Sequence, residues 1–239
     1  MSKRVAIVIP VYKNTLSVNE AKSLAQCKKV LHQYPIIFVA PESLHADFFT
    51  HEDQVERFDD AYFKSPKTYN KLLINPLFYK RFISFEFMLI HQLDAYVFKD
   101  ELEKWCDKGY DYIGAPKLKL KFLKEKDPFV MPIFEPILFN GGFSLRRIKP
   151  IIKFLKVYNT FIPAWPANED SLFSVYHKRA FPLRFMLKLP TWKEGLSFAF
   201  EKNPQISYSL HEDSLPFGCH AWEKYNPSFW QKFIHYEFR

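Results

Sequence analysis

The stretch FEFMLIHQLDAYVF, residues 85–98, sets a carboxylate between two apolar runs. Met88, Leu89 and Ile90 read as a buried strand, and so do residues Ala95 to Phe98. A carboxylate in a sheet core is costly unless something pairs with it. Asp94 follows its strand at the carboxyl edge, where open α/β sheets bind their ligands. Gln92 lies two residues earlier, so in extended chain both side chains point to one side. A carboxylate there can hold a hard divalent cation against a diphosphate. It could equally cap the next helix or pair with an arginine.

Three later stretches also hold chemistry. In FNGGFSLRR, Gly141 and Gly142 interrupt a strand-like run, which suggests close backbone approach by a ligand or a plain bulge. Asn140 beside them offers both donor and acceptor groups. The tripeptide NED, Asn168 to Asp170, precedes a helical run, with Asn168 placed to cap it. Acids in a first turn are favoured by the helix dipole alone, so Glu169 and Asp170 need not be functional. In PFGCHAW, His220 could be a metal ligand or a hydrogen-bonded core histidine. No Walker motif and no GxGxxG is present.

The elements that must position these residues begin with RVAIVIPV, which has the continuous β-branched character of a strand buried on both faces. Ser17 and Glu20 have capping-box spacing and open a helix through Ala21, Leu24 and Val30. PIIFVAP supplies a second buried strand, completing a βαβ unit that implies parallel pairing. VERFD (55–59) is a third strand, and residues 65–82 read as helical with a break around Pro76. A short helix and a strand ending at Gly114 follow residue 98. The basic run KLKLKFLKEKDP (117–128) reads as a long loop or flap, and an apolar helix follows FNGGFSLRR. The last stretch is irregular and rich in Pro and aromatics.

The whole chain has 239 residues, enough for one large domain. Its 26 Phe and 13 Tyr imply a dense core or surfaces that stack on planar or sugar-like ligands. A net charge of +8 favours anionic partners. An RNA-binding module is the non-enzyme alternative, but the aromatics are dispersed and no RNP-like segment appears, so no nucleic-acid partner is expected. Cys27, Cys106 and Cys219 form no CxxC pair, which points to a reducing, cytoplasmic setting. The start MSKRVAIVIPVYKN reads as a first strand rather than a signal peptide. The basic run and the tail Phe229, Trp230, Lys232 and Phe233 suggest peripheral contact with an acidic membrane, or else a solvated flap and a packed C-terminus.

In combination, HQLDAYVF, YDYIGAP, NGGFSLR, NEDSLFS and PFGCHAW resemble a bacterial family of glycosyltransferase-like domains, long labelled as of unknown function. That family looks like an offshoot of the GT-A nucleotide-sugar transferases, and the resemblance runs from about Lys67 to Trp222. VAIVIPVYKN also resembles the opening GT-A strand, whose following loop meets uridine; this implicates Pro10, Val11 and Tyr12.

The resemblance implies a single α/β domain of GT-A type over residues 1–239. A Rossmann-like mixed sheet is flanked by helices, with an irregular C-terminal part. About residues 1–98 would bind the nucleotide and about 99–239 the acceptor. It implies a metal-dependent hexosyltransferase using Mn²⁺ or Mg²⁺ and a nucleotide-sugar donor, UDP-hexose by family habit. The acceptor would be a saccharide or lipid-linked oligosaccharide in surface polysaccharide synthesis. GT-A enzymes hold the metal with Asp-x-Asp; here Gln92-Leu93-Asp94 matches at the second acid only, and His220 matches the late metal-shell histidine. NGGFSLR resembles the strand lining the sugar pocket, and Trp222 joins the binding set at the end of PFGCHAW. NED resembles the acidic motif that supplies the base of inverting enzymes, with Asp170 favoured over Glu169. Another reaction on a nucleotide sugar, such as hydrolysis or nucleotidyl transfer, is the competing enzyme class.

Overall fold

The computed structural model of the protein describes residues 3–118, 137–162, 168–179, 181 and 183–234. Its centre is a six-stranded sheet built on β1 (Lys3–Pro10) and β4 (Phe85–His91), which pair in parallel. β2 (Ile36–Pro41) and β3 (Gln54–Phe58) extend it on the β1 side, also in parallel. β7 (Phe139–Arg147) pairs antiparallel with β4, and β6 (Tyr112–Pro116) pairs antiparallel with β7. The order β3-β2-β1-β4-β7-β6 makes a mixed sheet flanked by helices.

The continuous apolar run of β1 has a direct cause in this arrangement. Val5, Ile7 and Ile9 pack into one core layer with Phe87 and Leu89, while Ala6 and Val8 pack into the other with Met88 and Ile90. A strand covered on both faces cannot alternate polar and apolar residues. Helix α1 (Val18–Val30) starts with a complete capping box between Ser17 and Glu20. The helical stretch after residue 65 divides as expected at Pro76, into α2 (Pro66–Leu73) and α3 (Pro76–Lys80), each opened by a proline in its first turn.

The irregular C-terminal part is organised by a second sheet of three short strands in the order β5-β9-β8. β5 (Ala95–Val97) comes directly after Asp94 and pairs antiparallel with β9 (Gly218–His220). β8 (Ala199–Phe200) completes it. A third apolar cluster covers this small sheet, including Trp222, Phe229 and Trp230. Trp230 stacks on Phe98, and Phe229 meets Tyr208 edge-on. These two tail aromatics are therefore core residues, unavailable to a membrane. The basic run lies outside the described residues from position 119 onward. Among the described residues, no helix is long and apolar enough to cross a membrane.

Candidate active site

The antiparallel register Ala95↔His220 brings two distant segments together. His220 Nε2 lies 3.2 Å from Asp94 Oδ1 and 3.1 Å from Gln92 Oε1. His220 is 8% exposed, whereas the Asp94 side chain remains 43% exposed. Burial alone would raise the Asp94 carboxyl, but its hydrogen bond to His220 outweighs this and holds it below its ordinary value. Burial pulls His220 down, yet its hydrogen bond with Asp94 and the nearby Glu201 carboxylate push it up to about 9. So Asp94 faces an imidazole from the far end of the chain, neither a helix end nor an arginine.

Gln92 and Asp94 open onto a cavity of about 730 Å³. Pro10, the last residue of β1, and Tyr12 just beyond it also line its wall, with Ser65, Pro66 and Tyr69 from the start of α2. Tyr12 is 63% exposed and offers a ring face for a planar group. Lys13, Lys64 and Lys224 bring cations to the wall, and Lys13 is engaged by Glu20 at 2.7 Å. The start of α2 adds the positive end of a helix dipole. Lys64, Tyr69 and Lys224 were not singled out from sequence. Lys64 and Ser65 stand at a recognisable helix start, but Lys224 carries no local signal.

Val11 and Trp222 were expected to meet ligand and do not line the cavity. Val11 is fully buried, with its N–H donating to Val39 O at 2.8 Å. It directly follows β1 and packs into the core layer of Ile7 and Ile9. Trp222 is fully buried in the third cluster against Tyr96, because the small sheet needs a large apolar cover there.

The glycine pair also has a different reason from the one expected. A Cβ on Gly142 would lie 2.1 Å from His220 Nε2, and one on Gly141 would lie 2.2 Å from Glu169 Oε1. Both glycines make room for side chains of the protein itself. Asn140 likewise serves the interior: its Oδ1 accepts from Gly142 N at 2.7 Å, and its Nδ2 donates to Glu201 Oε1 at 3.1 Å.

Glu169 and Asp170 begin the short helix Glu169–Ser171, and they differ sharply. Glu169 Oε1 accepts from Arg146 Nη2 at 2.8 Å, and both side chains are buried. Arg146 also donates to Tyr79, Ser144 and the Gly141 carbonyl. Glu169 is thus engaged in an internal ion pair. The expected side-chain cap from Asn168 is absent; Asn70 on α2 instead accepts from Glu169 N at 3.1 Å. Asp170 Oδ1 accepts from Ser171 Oγ at 3.2 Å. Burial and the neighbouring Glu169 raise the Asp170 carboxyl to about 7, the reverse of what a helix dipole alone would do. Asp170 is 7% exposed and is not part of the cavity wall. Its chain neighbours Asn168 and Glu169 are hydrogen-bonded to Asn70, which follows the cavity-lining Tyr69 on α2.

Residues 52–220 match the family described as "Protein of unknown function (DUF5672)". The chain belongs to that family. No curated protein matches it. Among solved structures, this DUF5672 chain is similar to the galactosyltransferase LgtC, determined in complex with donor and acceptor sugar analogues. The identity is 12%, the TM-score 0.53, and the match covers 90% of this chain and 86% of LgtC. The apo form of the glycosyltransferase GlyE from Streptococcus pneumoniae TIGR4 aligns at 10% identity and TM-score 0.51, over 98% of this chain and 61% of that one. At these identities the likeness establishes the fold: the DUF5672 chain has the mixed α/β architecture of GT-A glycosyltransferases.

The chemistry of the converging donors fits a divalent cation. One imidazole nitrogen, one carboxylate and one amide oxygen suit Mn²⁺ or Mg²⁺, ions that take part of their shell from substrate phosphates. Among the described residues no group of three His, Cys, Asp or Glu could hold a metal by itself. The set Asp94, Gln92 and His220 would therefore depend on a ligand's oxygens to complete the shell.

Proposed function

We propose that this protein is a GT-A-type glycosyltransferase that moves a sugar from a nucleotide-sugar donor to a saccharide or lipid-linked hydroxyl. The observation that carries the reading is the meeting of buried His220 with Asp94 and Gln92, two wall residues of a cavity that also holds an exposed Tyr12 and three lysines. In this reading the Tyr12 ring stacks on the base, a uracil by the resemblance of the opening strand. Lys64 and Lys224 neutralise the diphosphate. Asp94, His220 and Gln92 would hold Mn²⁺ or Mg²⁺, which when bound stabilises negative charge on the departing nucleoside diphosphate.

The chain's own acid–base step falls to Asp170. Its carboxylate takes the proton of the acceptor hydroxyl as that oxygen attacks the anomeric carbon. The bond from that carbon to the diphosphate oxygen breaks on the opposite face, so the product carries the inverted configuration. A carboxyl raised to about 7 supports the role, because a base works best with a pKa near ambient pH. Glu169, held by Arg146, fixes the start of the helix that carries Asp170.

The deciding experiment is calorimetry of UDP binding with and without Mn²⁺, on wild type and on Asp94→Asn. Wild type is expected to bind UDP in a Mn²⁺-dependent way, and Asp94→Asn to lose that dependence with its melting temperature retained. Unchanged Mn²⁺-supported binding in the variant overturns the assignment. A thermal-shift panel of UDP, GDP, CMP and dTDP sugars then names the donor; a nucleotide at 100 Kd stabilises by about 2.7 kcal/mol.

A further inference from the structure

Glu201 carries no sequence signal, yet it sits against the imidazole that faces the cavity carboxylate. It follows β8 and is 8% exposed. Its Oε1 accepts from Asn140 Nδ2 at 3.1 Å and lies 3.5 Å from His220 Nδ1. That separation is an ion-pair distance, and Nδ1 makes no hydrogen bond of its own. A buried polar nitrogen left without a partner is costly, so a role that engages it is to be expected.

The two ring nitrogens of His220 face different groups. Nε2 meets Asp94 and Gln92 at the cavity wall, while Nδ1 meets a buried carboxylate. An imidazole that gives one nitrogen to a cation keeps its proton on the other and needs an acceptor for it. The NGG strand builds the frame for this arrangement. Asn140 bonds Glu201 through its amide nitrogen and Gly142 N through its oxygen. Gly142 lacks the Cβ that would strike Nε2 at 2.1 Å. One strand thus sets the position of both members of the pair.

We infer that Glu201 is a positioning residue that holds the His220 Nδ1–H and so aims Nε2 at a divalent cation beside Asp94. The inference rests on the metal reading of the site given above. Asn140 orients Glu201, and Gly142 gives the ring its place.

The test is calorimetric titration of Mn²⁺, in the presence of saturating UDP to supply the remaining oxygens, into wild type, Glu201→Gln and Glu201→Ala. Spin-echo spectra of the bound Mn²⁺ report imidazole nitrogen in its shell, which a merely structural residue would not alter. Loss of a group supporting a metal ligand typically costs 10–100-fold in affinity. Glu201→Ala is expected near the upper end of that range, with the imidazole signal weakened. Glu201→Gln is expected about tenfold down, because its amide oxygen can still accept from Nδ1–H. Should the alanine variant fail to fold, the isosteric glutamine variant decides alone. If wild type binds Mn²⁺ and the variants match it in affinity and spectrum, Glu201 has no positioning role and the metal site stands. If wild type binds no Mn²⁺, the metal reading falls and this inference falls with it.

Discussion

Two buried charge clusters flank the NGG strand, and they are built to opposite specifications. Around Arg146 every guanidinium nitrogen is hydrogen-bonded: Nε donates to Ser144, Nη1 to Tyr79, and Nη2 to both Gly141 O and Glu169. Its faces lie over Tyr112 and Phe173 at 5.4 and 5.7 Å. Around His220 the partners are incomplete, with Nδ1 lacking a hydrogen bond and Asp94 half exposed to the cavity. A buried network bonded at every nitrogen holds structure in place. An incomplete one at a cavity wall keeps its capacity for a ligand. Both clusters contain acids that sequence alone offered as functional, and only their partners separate them.

The largest effect that would break this comparison is a change of function, without a change of stability, at the Arg146 cluster. Removing one partner of a buried ion pair costs about 3–5 kcal/mol, since it strands the other charge. Glu169→Gln is therefore expected to lower the unfolding free energy by that order, read by urea unfolding. If it leaves stability intact and weakens only acceptor binding, Glu169 belongs to the site after all.

Asp170 should behave in the opposite way. General-base loss costs about 10²–10⁴-fold in rate, so Asp170→Asn should lower turnover at least a hundredfold with donor affinity nearly unchanged. The fold raises this carboxyl from 3.8 to about 7, so ionising it opposes folding. That penalty develops as pH rises from about 4 to about 7 and is complete above. Asp170→Asn should therefore melt higher than wild type at pH 8, whereas Glu169→Gln melts lower. Wild-type kcat/KM should climb through an acid limb near pH 7, and the asparagine variant should lack that limb. A turnover near wild type, or a product with retained anomeric configuration by NMR, defeats the inverting mechanism.

The smallest effect belongs to the open end of the cavity. Tyr12→Ala removes an exposed ring, so stability should shift by no more than about 0.5 kcal/mol. An aromatic stack contributes about 0.5–1.5 kcal/mol, so UDP affinity should fall roughly two- to tenfold. Calorimetry that finds UDP binding unchanged would move the base away from this wall.

Sequence by itself determined the layout wherever the cause is local. The unbroken run of β1 required cover on both faces, and the Ser17–Glu20 pair required a helix start. Pro76 required a break between two helices. Asp94 was legible as a carboxylate in need of a partner, because an apolar strand led up to it. The motifs, taken in order, also pointed to the GT-A architecture. Only the tertiary structure decided which groups those residues face. Asp94 meets His220 because β5 and β9 pair in one register, and no local rule fixes a pairing between strands more than a hundred residues apart. Glu169 and Asp170 are neighbours with the same charge, and Arg146 claims one of them. Gly141 and Gly142 announce a close approach, but glycine spacing cannot say whether ligand or protein comes close. Here the atoms are Glu169 Oε1 and His220 Nε2, brought in from helix and strand by packing.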